Sequence, residues 1–477
     1  MLNVSDKLKE ALMSDCRYIR TFVDIYANGD DKEPVTINND IVSMTITEST
    51  GISVDQPVGG VVSNELSFDM YDINNDFSLI NPDSIYKDTI TKPIKCVVYL
   101  LVEVSEDVYE KVPMGTYFTT NINNNSYDRT TSVLAYDRLY YLFSNKCRPI
   151  LQLQNSKSPL TVYELFRQSL TDAGLVDGID FVIDSNLNIR VAQVYLGPTD
   201  LKERLKTMCL SFGCLAYVDR YNVIRVVSQL LLTRTATEFT EDNQIINASV
   251  SPSYTDAYSG VNIKYPLLTE STEQSEFTMD AVVTSATGIN NVSIDFTEPI
   301  CKITSIQVLG GKYTTVDAYD ITTAGVKILL NNYQSQETVT VKVKGVKLET
   351  NYSNYNLTND VMLQHIGERM LEITSCAYVS DSFIQSYADS MLKICSDISP
   401  VTELEIRGYP ILEPVDSFTV VTEQFIMSTT EYIPIDTVYT LGAGLSAKLK
   451  GITSAARTQY EYVFVTPSIP IKVEKYI

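Results

Sequence analysis

The sequence predicts a mainly β chain with α+β elements: two barrel-like antiparallel β domains, a small α/β domain and a β-rich insertion. Three observations carry that expectation. Tyrosine is abundant at 31 residues and β-branched residues are frequent, a composition that suits pleated, half-buried surface. Short apolar–polar alternations recur, each closed by a cluster of Asn, Asp, Gly or Pro. Helical periodicity is confined to a few bounded stretches. At 477 residues, 44% of them hydrophobic, the chain is long enough to hold several cores.

Residues 1–150 are expected to form an N-terminal helix and the first barrel-like domain. Ser5 to Met13 places Val4, Leu8, Ala11 and Leu12 on one stripe of a helix. Strands follow at Tyr18 to Tyr26, Ile41 to Thr47, Leu66 to Met70, Ile94 to Val104, Tyr117 to Thr120 and Thr131 to Tyr136. Residues 151–235 read as the small α/β domain. Thr161 and Glu164 make a capping box ahead of Val162, Leu165, Phe166 and Leu170, and Gly174 offers the stop. A second helix from about Thr199 closes at Gly213, and Leu215 to Val218 with Val223 to Val227 then reads as a hairpin.

Residues 236–264 and 397–451 are assigned to the second barrel-like domain, and 265–350 to the β-rich insertion between them. Residues 351–396 read as helical, in stretches of about Asp360 to Ile373 and Asp381 to Cys395. The last segment, 452–477, carries Pro467 and Pro470 and reads as an extended arm that docks on a neighbour or frays.

Composition excludes several classes. Acidic residues outnumber basic ones 59 to 37, a formal charge of −22, so binding nucleic acid by phosphate neutralisation is not expected. No run approaches the ~20 apolar residues of a membrane-spanning helix, and the N-terminus lacks a secretory pattern, so cytoplasmic synthesis without stable membrane insertion is expected. The eight cysteines are dispersed with no CxxC pair, which suggests buried free thiols.

The chemical motifs are as sparse. His365 is the one histidine, so any Ser/His/Asp or Cys/His mechanism would have to pass through it. Nucleotide-binding glycine loops and HExxH are absent from the sequence. Asp72, Asn74 and Asp76 mimic half a calcium loop, but Phe77 stands where glycine is needed, so a turn is expected. No catalytic, cofactor-binding or metal residues are assigned.

Three segments carry a family pattern. The first is "VSDKLKEAL" followed by "RYIRTFVDI", a helix leading into a strand that bears Arg17 and Arg20. The second runs from Val112 to Leu142, with Gly115 and Tyr117 in a Gly-Thr-Tyr strand and Tyr136, Asp137 and Arg138 in an "AYDRLY" strand. The third, Glu403 to Gly451, has Gly408 and Pro410 at a bend between strands, Asp416 before a strand, and Gly442 and Gly444 at a bulge or close backbone approach. Between them a helix ending at Gly213 feeds a tyrosine-bearing strand. In "AYDRLYYL", strand alternation would put Ala135, Asp137 and Leu139 on one face and Tyr136, Arg138 and Tyr140 on the other.

Together these segments resemble the hub proteins of bacteriophage tail tips and baseplates, related to the hub portion of tail-associated lysins and to proteins of phage-derived bacteriocins. "EPVDSF" departs from the family's frequent Gly-Asp pair. The resemblance implies a structural hub that is no enzyme and needs no cofactor, assembled in the host bacterial cytoplasm and carried in the virion tail. It implies a homotrimeric ring around the channel, joining a distal tail or tail tube ring protein to the tip, with a tape measure protein and a tip, spike or receptor-binding protein as further partners. DNA would pass through the lumen without specific binding. A receptor-binding adhesin for cell-wall glycans, and a hub with peptidoglycan hydrolase activity, are the rival expectations.

Overall fold

A computed structural model describes residues 2–453 apart from 28, 30, 31, 54, 55, 57, 79, 80, 85, 87–90, 126, 155, 157, 230–235, 252–256, 284–288, 333–335, 397–400, 423–430 and 443. The chain is mostly β, as the alternating runs predict. The arm expected over 452–477 lies, from residue 454 on, outside the described residues.

One thirteen-stranded sheet dominates. Its N-terminal part orders Ile41–Ser49, Glu65–Tyr71, Thr130–Tyr136, Val108–Asn125, Lys95–Ser105, Ile19–Ile25 and Val35–Ile37, all antiparallel. Its C-terminal part orders Ile245–Ser251, Val401–Ile406, Leu445–Thr453 and Glu431–Leu441, with Phe418–Val421 also pairing Glu431–Leu441 and, in parallel, Thr237–Thr240. The two parts are hydrogen-bonded along one seam, where Asp436 to Leu441 runs antiparallel to Ser49 to Met44. Their inward side chains form a single apolar core that includes Leu66, Phe68, Met70, Val98, Leu100, Tyr409, Phe418 and Leu449. Alternation causes this, since every second residue of these strands is apolar and points one way.

The helix Asp6–Met13 is capped by Ser5, whose hydroxyl accepts from Leu8 N, and buries Leu8 and Leu12 in that shared core. Its C-terminal end is tied to the C-terminal strands: Gln244 Nε2 donates to Leu12 O at 2.6 Å, and Arg17 donates to the carbonyls of Arg407 at 2.7 Å and Gly408 at 2.9 Å. Arg20, by contrast, is exposed, with its guanidinium 5.1 Å from the Tyr109 ring centroid.

The α/β module has its own core. Its first helix, Val162–Asp172, carries the expected capping box of Thr161 and Glu164. Its second, Leu201–Phe212, is capped by Asp200 and stops at Gly213 in the left-handed region, as the sequence predicts. The hairpin Cys214–Val218 with Ile224–Ser228 also forms as expected, and Phe181–Ile183 adds to it in parallel. A third core gathers around the helix Asp381–Cys395.

The insertion is built on two long strands, Gly260–Val283 and Glu337–Thr358, antiparallel for almost their whole length. Ile300–Leu309 extends that ribbon, and Ile289–Asp295, Gly325–Asn332 and Thr314–Thr322 form a second sheet, with a separate core of Val, Ile and Leu side chains that includes Val292, Ile328, Leu330 and Val341. One side chain of the α/β module bonds directly to the backbone of the ribbon. Gln193 Nε2 donates to Leu268 O at 3.1 Å while Gln193 Oε1 accepts from Leu268 N at 2.9 Å, so an amide stands in for a neighbouring strand.

Three expectations are corrected. The helix predicted from Asp360 ends at Ile366, and Met370–Thr374 is a strand, parallel to Gly260–Lys264; it pairs with the edge of the ribbon and buries Leu371 and Ile373. The "AYDRLY" motif is not one strand: the strand stops at Tyr136, Asp137 is an N-cap, and Arg138–Leu142 is a short helix. Gly442 and Gly444 meet no close backbone, and nothing lies within 4 Å of where their Cβ atoms would be; Gly442 N donates to Gly444 O in a tight hairpin turn, and the bulge of that hairpin sits at Pro434 and Asp436 instead.

Candidate functional site

Three of the family-motif residues, Tyr117, Asp137 and Arg138, meet at a buried polar junction where the two parts of the main sheet meet the α/β module. It begins with the hairpin turn Asp219–Asn222. The Asp219 carboxylate accepts from the N–H groups of Tyr221 and Val223 and pairs with Arg225 at 2.7 Å, and Asn222 takes a positive φ of 65°, so the turn is locally fixed. That geometry drives Arg220 into the seam.

Arg220 Nε donates to Glu48 Oε1 at 2.8 Å, and Nη2 donates to Glu48 Oε2 at 3.0 Å, to Leu412 O at 3.1 Å and to Tyr439 Oη at 3.2 Å. Glu48 lies opposite Thr437, and Tyr439 lies opposite Ile46, so the guanidinium bridges the two seam strands. Both charged side chains are about 95% buried or more. Burial alone would lower the Arg220 pKa, but the Glu48 carboxylate and the Tyr439 hydroxyl outweigh it and raise it, so the cation is locked in place. Such a pair adds little net stability over apolar packing, yet removing one partner strands the other charge at a cost of about 3–5 kcal/mol.

Asp137 sits in the same layer. Its carboxylate accepts from Ser63 Oγ at 2.7 Å, Asn64 N at 2.7 Å and Leu139 N at 3.0 Å, and complete burial pushes its pKa up to about 6 against the lowering effect of those donors. Arg138 grips the hairpin turn from outside, donating to Asn222 O at 3.0 Å and pairing with Asp180 at 2.9 Å. The turn is therefore held between Arg138 on one side and Glu48, through Arg220, on the other.

Tyr117 is buried and donates its hydroxyl to Met114 O at 3.0 Å; burial and the nearby Glu48 carboxylate raise its pKa well above the usual phenol value. Gly408, at φ 95°, places its carbonyl on Arg17, and Pro410 is buried beside it. Asp416 closes the turn before Phe418–Val421 by accepting from Glu413 N at 2.7 Å.

Of the sequence-singled residues, Tyr117 and Asp137 reach this cluster and Arg138 braces it. Arg20, Gly213 and Gly444 stand elsewhere. Glu48 and Arg220 were missed. The available signal was Glu48 itself, which follows Met44 and Ile46 on the core-facing side of an alternating strand and so demands a buried cation.

The charged groups of this cluster lie beneath the surface, with the Arg220 Nε and Nη2 atoms committed to Glu48, Leu412 and Tyr439 and the Asp137 carboxylate to Ser63, Asn64 and Leu139. His365 lies on the exposed helix Asp360–Ile366. Asp72 accepts from Asp76 N and Phe77 N, so the half calcium loop is a turn, as expected. Among the described residues no group of three or more His, Cys, Asp or Glu could hold a metal ion. No described helix is long and apolar enough to cross a membrane. The outer face of the C-terminal strands is a ladder of opposite charges, with Glu403 opposite Lys450 and Glu405 opposite Lys448.

No family model matches the sequence, and no curated protein sequence does. Solved structures do match. The 43 kDa tail protein of prophage MuSo2 from Shewanella oneidensis is similar over 92% of this chain and 99% of its own, at 12% identity and a TM-score of 0.50. A tail protein from Neisseria meningitidis MC58 is similar over 91% of this chain and 98% of its own, at 8% identity and a TM-score of 0.52. The fold is thus one that phage tail proteins use.

Proposed function

We propose that this chain is a structural component of a phage tail or phage-tail-like particle, acting as the hub of its tip or baseplate. The observation that carries the reading is a fold shared over more than nine-tenths of this chain and of two tail proteins. The motifs around Tyr117, Asp137 and Gly408 add to it, since in this chain they shape a buried joint between strands.

Three copies form a ring in this reading. Heterologous interfaces that close on themselves leave an axial opening, and the two β parts of each copy, held at a fixed angle by the seam, supply six similar wall segments. The partners are a distal tail or tail tube ring protein above, a tip, spike or receptor-binding protein below, and a tape measure protein. Three charges of −22 give −66. Carboxylates lining the lumen would repel DNA phosphates within about one Debye length, ~8 Å at physiological salt, so the genome would pass without sticking.

Mass measurement and negative-stain imaging of the native particle test this. The expected result is three times the chain mass of 53.4 kDa, in a ring at one end of a tube. A monomer with no place in any particle overturns it; a basic inner wall removes only the lumen argument.

A further inference from the structure

Where the main sheet meets the α/β module, four aromatic rings line a cleft of about 570 Å³. Tyr136 ends the strand Thr130–Tyr136, Tyr140 and Tyr141 project from the helix Arg138–Leu142, and Phe143 caps that helix. Tyr136 and Tyr140 are nearly parallel with centroids 4.5 Å apart, and Tyr141 stands edge-on to Tyr140 at 5.4 Å. Lys202 Nζ lies 5.1 Å from the Phe143 centroid at the rim. Tyr140 is 46% exposed, although a ring gains by being taken out of water. In a chain of net charge −22, the described lining residues include no carboxylate. Tyr140 is exposed and Tyr136, Tyr141 and Phe143 are half-buried beside it, so the cleft offers aromatic surface to a partner.

Aromatic-lined grooves take polyproline II segments, which arrive pre-extended and lose little entropy on docking. The sequence supplies one. Pro467 and Pro470 are three residues apart in sequence, the spacing that shares a face of a helix with three residues per turn, and a residue that precedes a proline, as Thr466 and Ile469 do, is disfavoured in the α region. We propose that the cleft of Tyr136, Tyr140, Tyr141 and Phe143 receives the Pro467–Pro470 stretch of the same chain as a polyproline II helix.

Reach favours the same chain. The last described strand ends at Thr453, opposite Tyr432. Register carries that position across to Tyr136 through Val438, Thr47 and Glu65. The path is roughly 20 Å along the strands and 19 Å across four strand spacings, a straight line of about 28 Å. The fourteen residues from Thr453 to Pro467 span up to ~46 Å when extended. A tether of that length holds the segment at an effective concentration of order millimolar, so a weak contact suffices. The inference stands apart from the tail reading and does not depend on it.

Hydrogen–deuterium exchange on the full chain tests it. Amides of residues 471–475 should exchange about tenfold more slowly than free peptide, and both Tyr140→Ala and the double change Pro467→Ala, Pro470→Ala should bring them to the free rate. Tyr140→Phe, which keeps the ring, should retain the protection. Exchange at the free rate in the unaltered chain, or protection that survives loss of the Tyr140 ring or of both prolines, overturns the proposal. Protection that falls on dilution assigns the segment to a second copy and overturns the same-chain docking. The proline pair is changed without altering the cleft, so that arm of the test stands even if Tyr140→Ala misfolds.

Discussion

The phenol of Tyr117 occupies the space a side chain on Gly115 would need: a Cβ there would lie 2.7 Å from Tyr117 Oη and 2.8 Å from its ring edge. Gly115 also adopts a φ of 125°, at the register shift where Val98 faces Gly115 and Tyr99 faces Pro113. The Gly-Thr-Tyr motif is thus one device, a bulge whose glycine makes room for the tyrosine that follows it. Gly115→Ala should destabilise the chain by at least about 2 kcal/mol through strain and clash together. Urea unfolding measures this, and a change below about 0.5 kcal/mol would refute the account.

Glu48 and Arg220 should behave as a unit. Glu48→Leu or Arg220→Met alone should cost about 3–5 kcal/mol, while the two changes together should cost less than either single change, since no charge is then left buried alone. A double-mutant cycle by denaturant unfolding gives the coupling; simple additivity would show the pair to be energetically independent.

Asp137 gives the junction a pH dependence of known sign. Its pKa is pushed up to about 6 in the folded chain from an ordinary 3.8, so the folded state holds the proton more tightly than the unfolded one. Its contribution is therefore most favourable below about pH 4 and is lost as pH rises through 6, by about 3 kcal/mol in all. Asp137→Asn cannot titrate, so the stability of the unaltered chain minus that of the variant should fall between pH 4 and pH 7. A flat difference across that range would contradict the assignment.

Gln193→Ala should loosen the ribbon locally around Leu268 without touching the separate core of the insertion. The N–H and carbonyl of Leu268 lose their partner, at about 1–3 kcal/mol if they stay buried. Faster amide exchange at Leu268, with unchanged protection at Val341 and Ile328, is the expected pattern. Equal loosening of both would mean that the insertion has no stability of its own.

What the sequence revealed was local. The capping box at Thr161 and Glu164 and the stop at Gly213 are written within a few residues, so their elements could be placed from the text alone. Met370–Thr374 was misread as helix because what makes it a strand is the distant edge at Gly260–Lys264. Asp137 was misread as a strand residue because an N-cap and an inward strand position both bury the side chain, and alternation cannot tell them apart. The Glu48–Arg220 joint was hidden for the same reason as the seam, since its partners are brought together only by the finished fold.

The seam also sets the order of events during synthesis. Thr50 donates to Ile435 O across 385 residues of chain, and the strands on either side of that bond complete each other. At ribosomal speeds of roughly 5–20 residues per second, the edge Ile41–Ser49 waits about 20–80 s for its neighbour to emerge. A nascent strand with one side open for that long is a place where another chain can pair instead. In a cell making many copies at once, the yield of correctly folded protein should therefore depend on how crowded the nascent chains are.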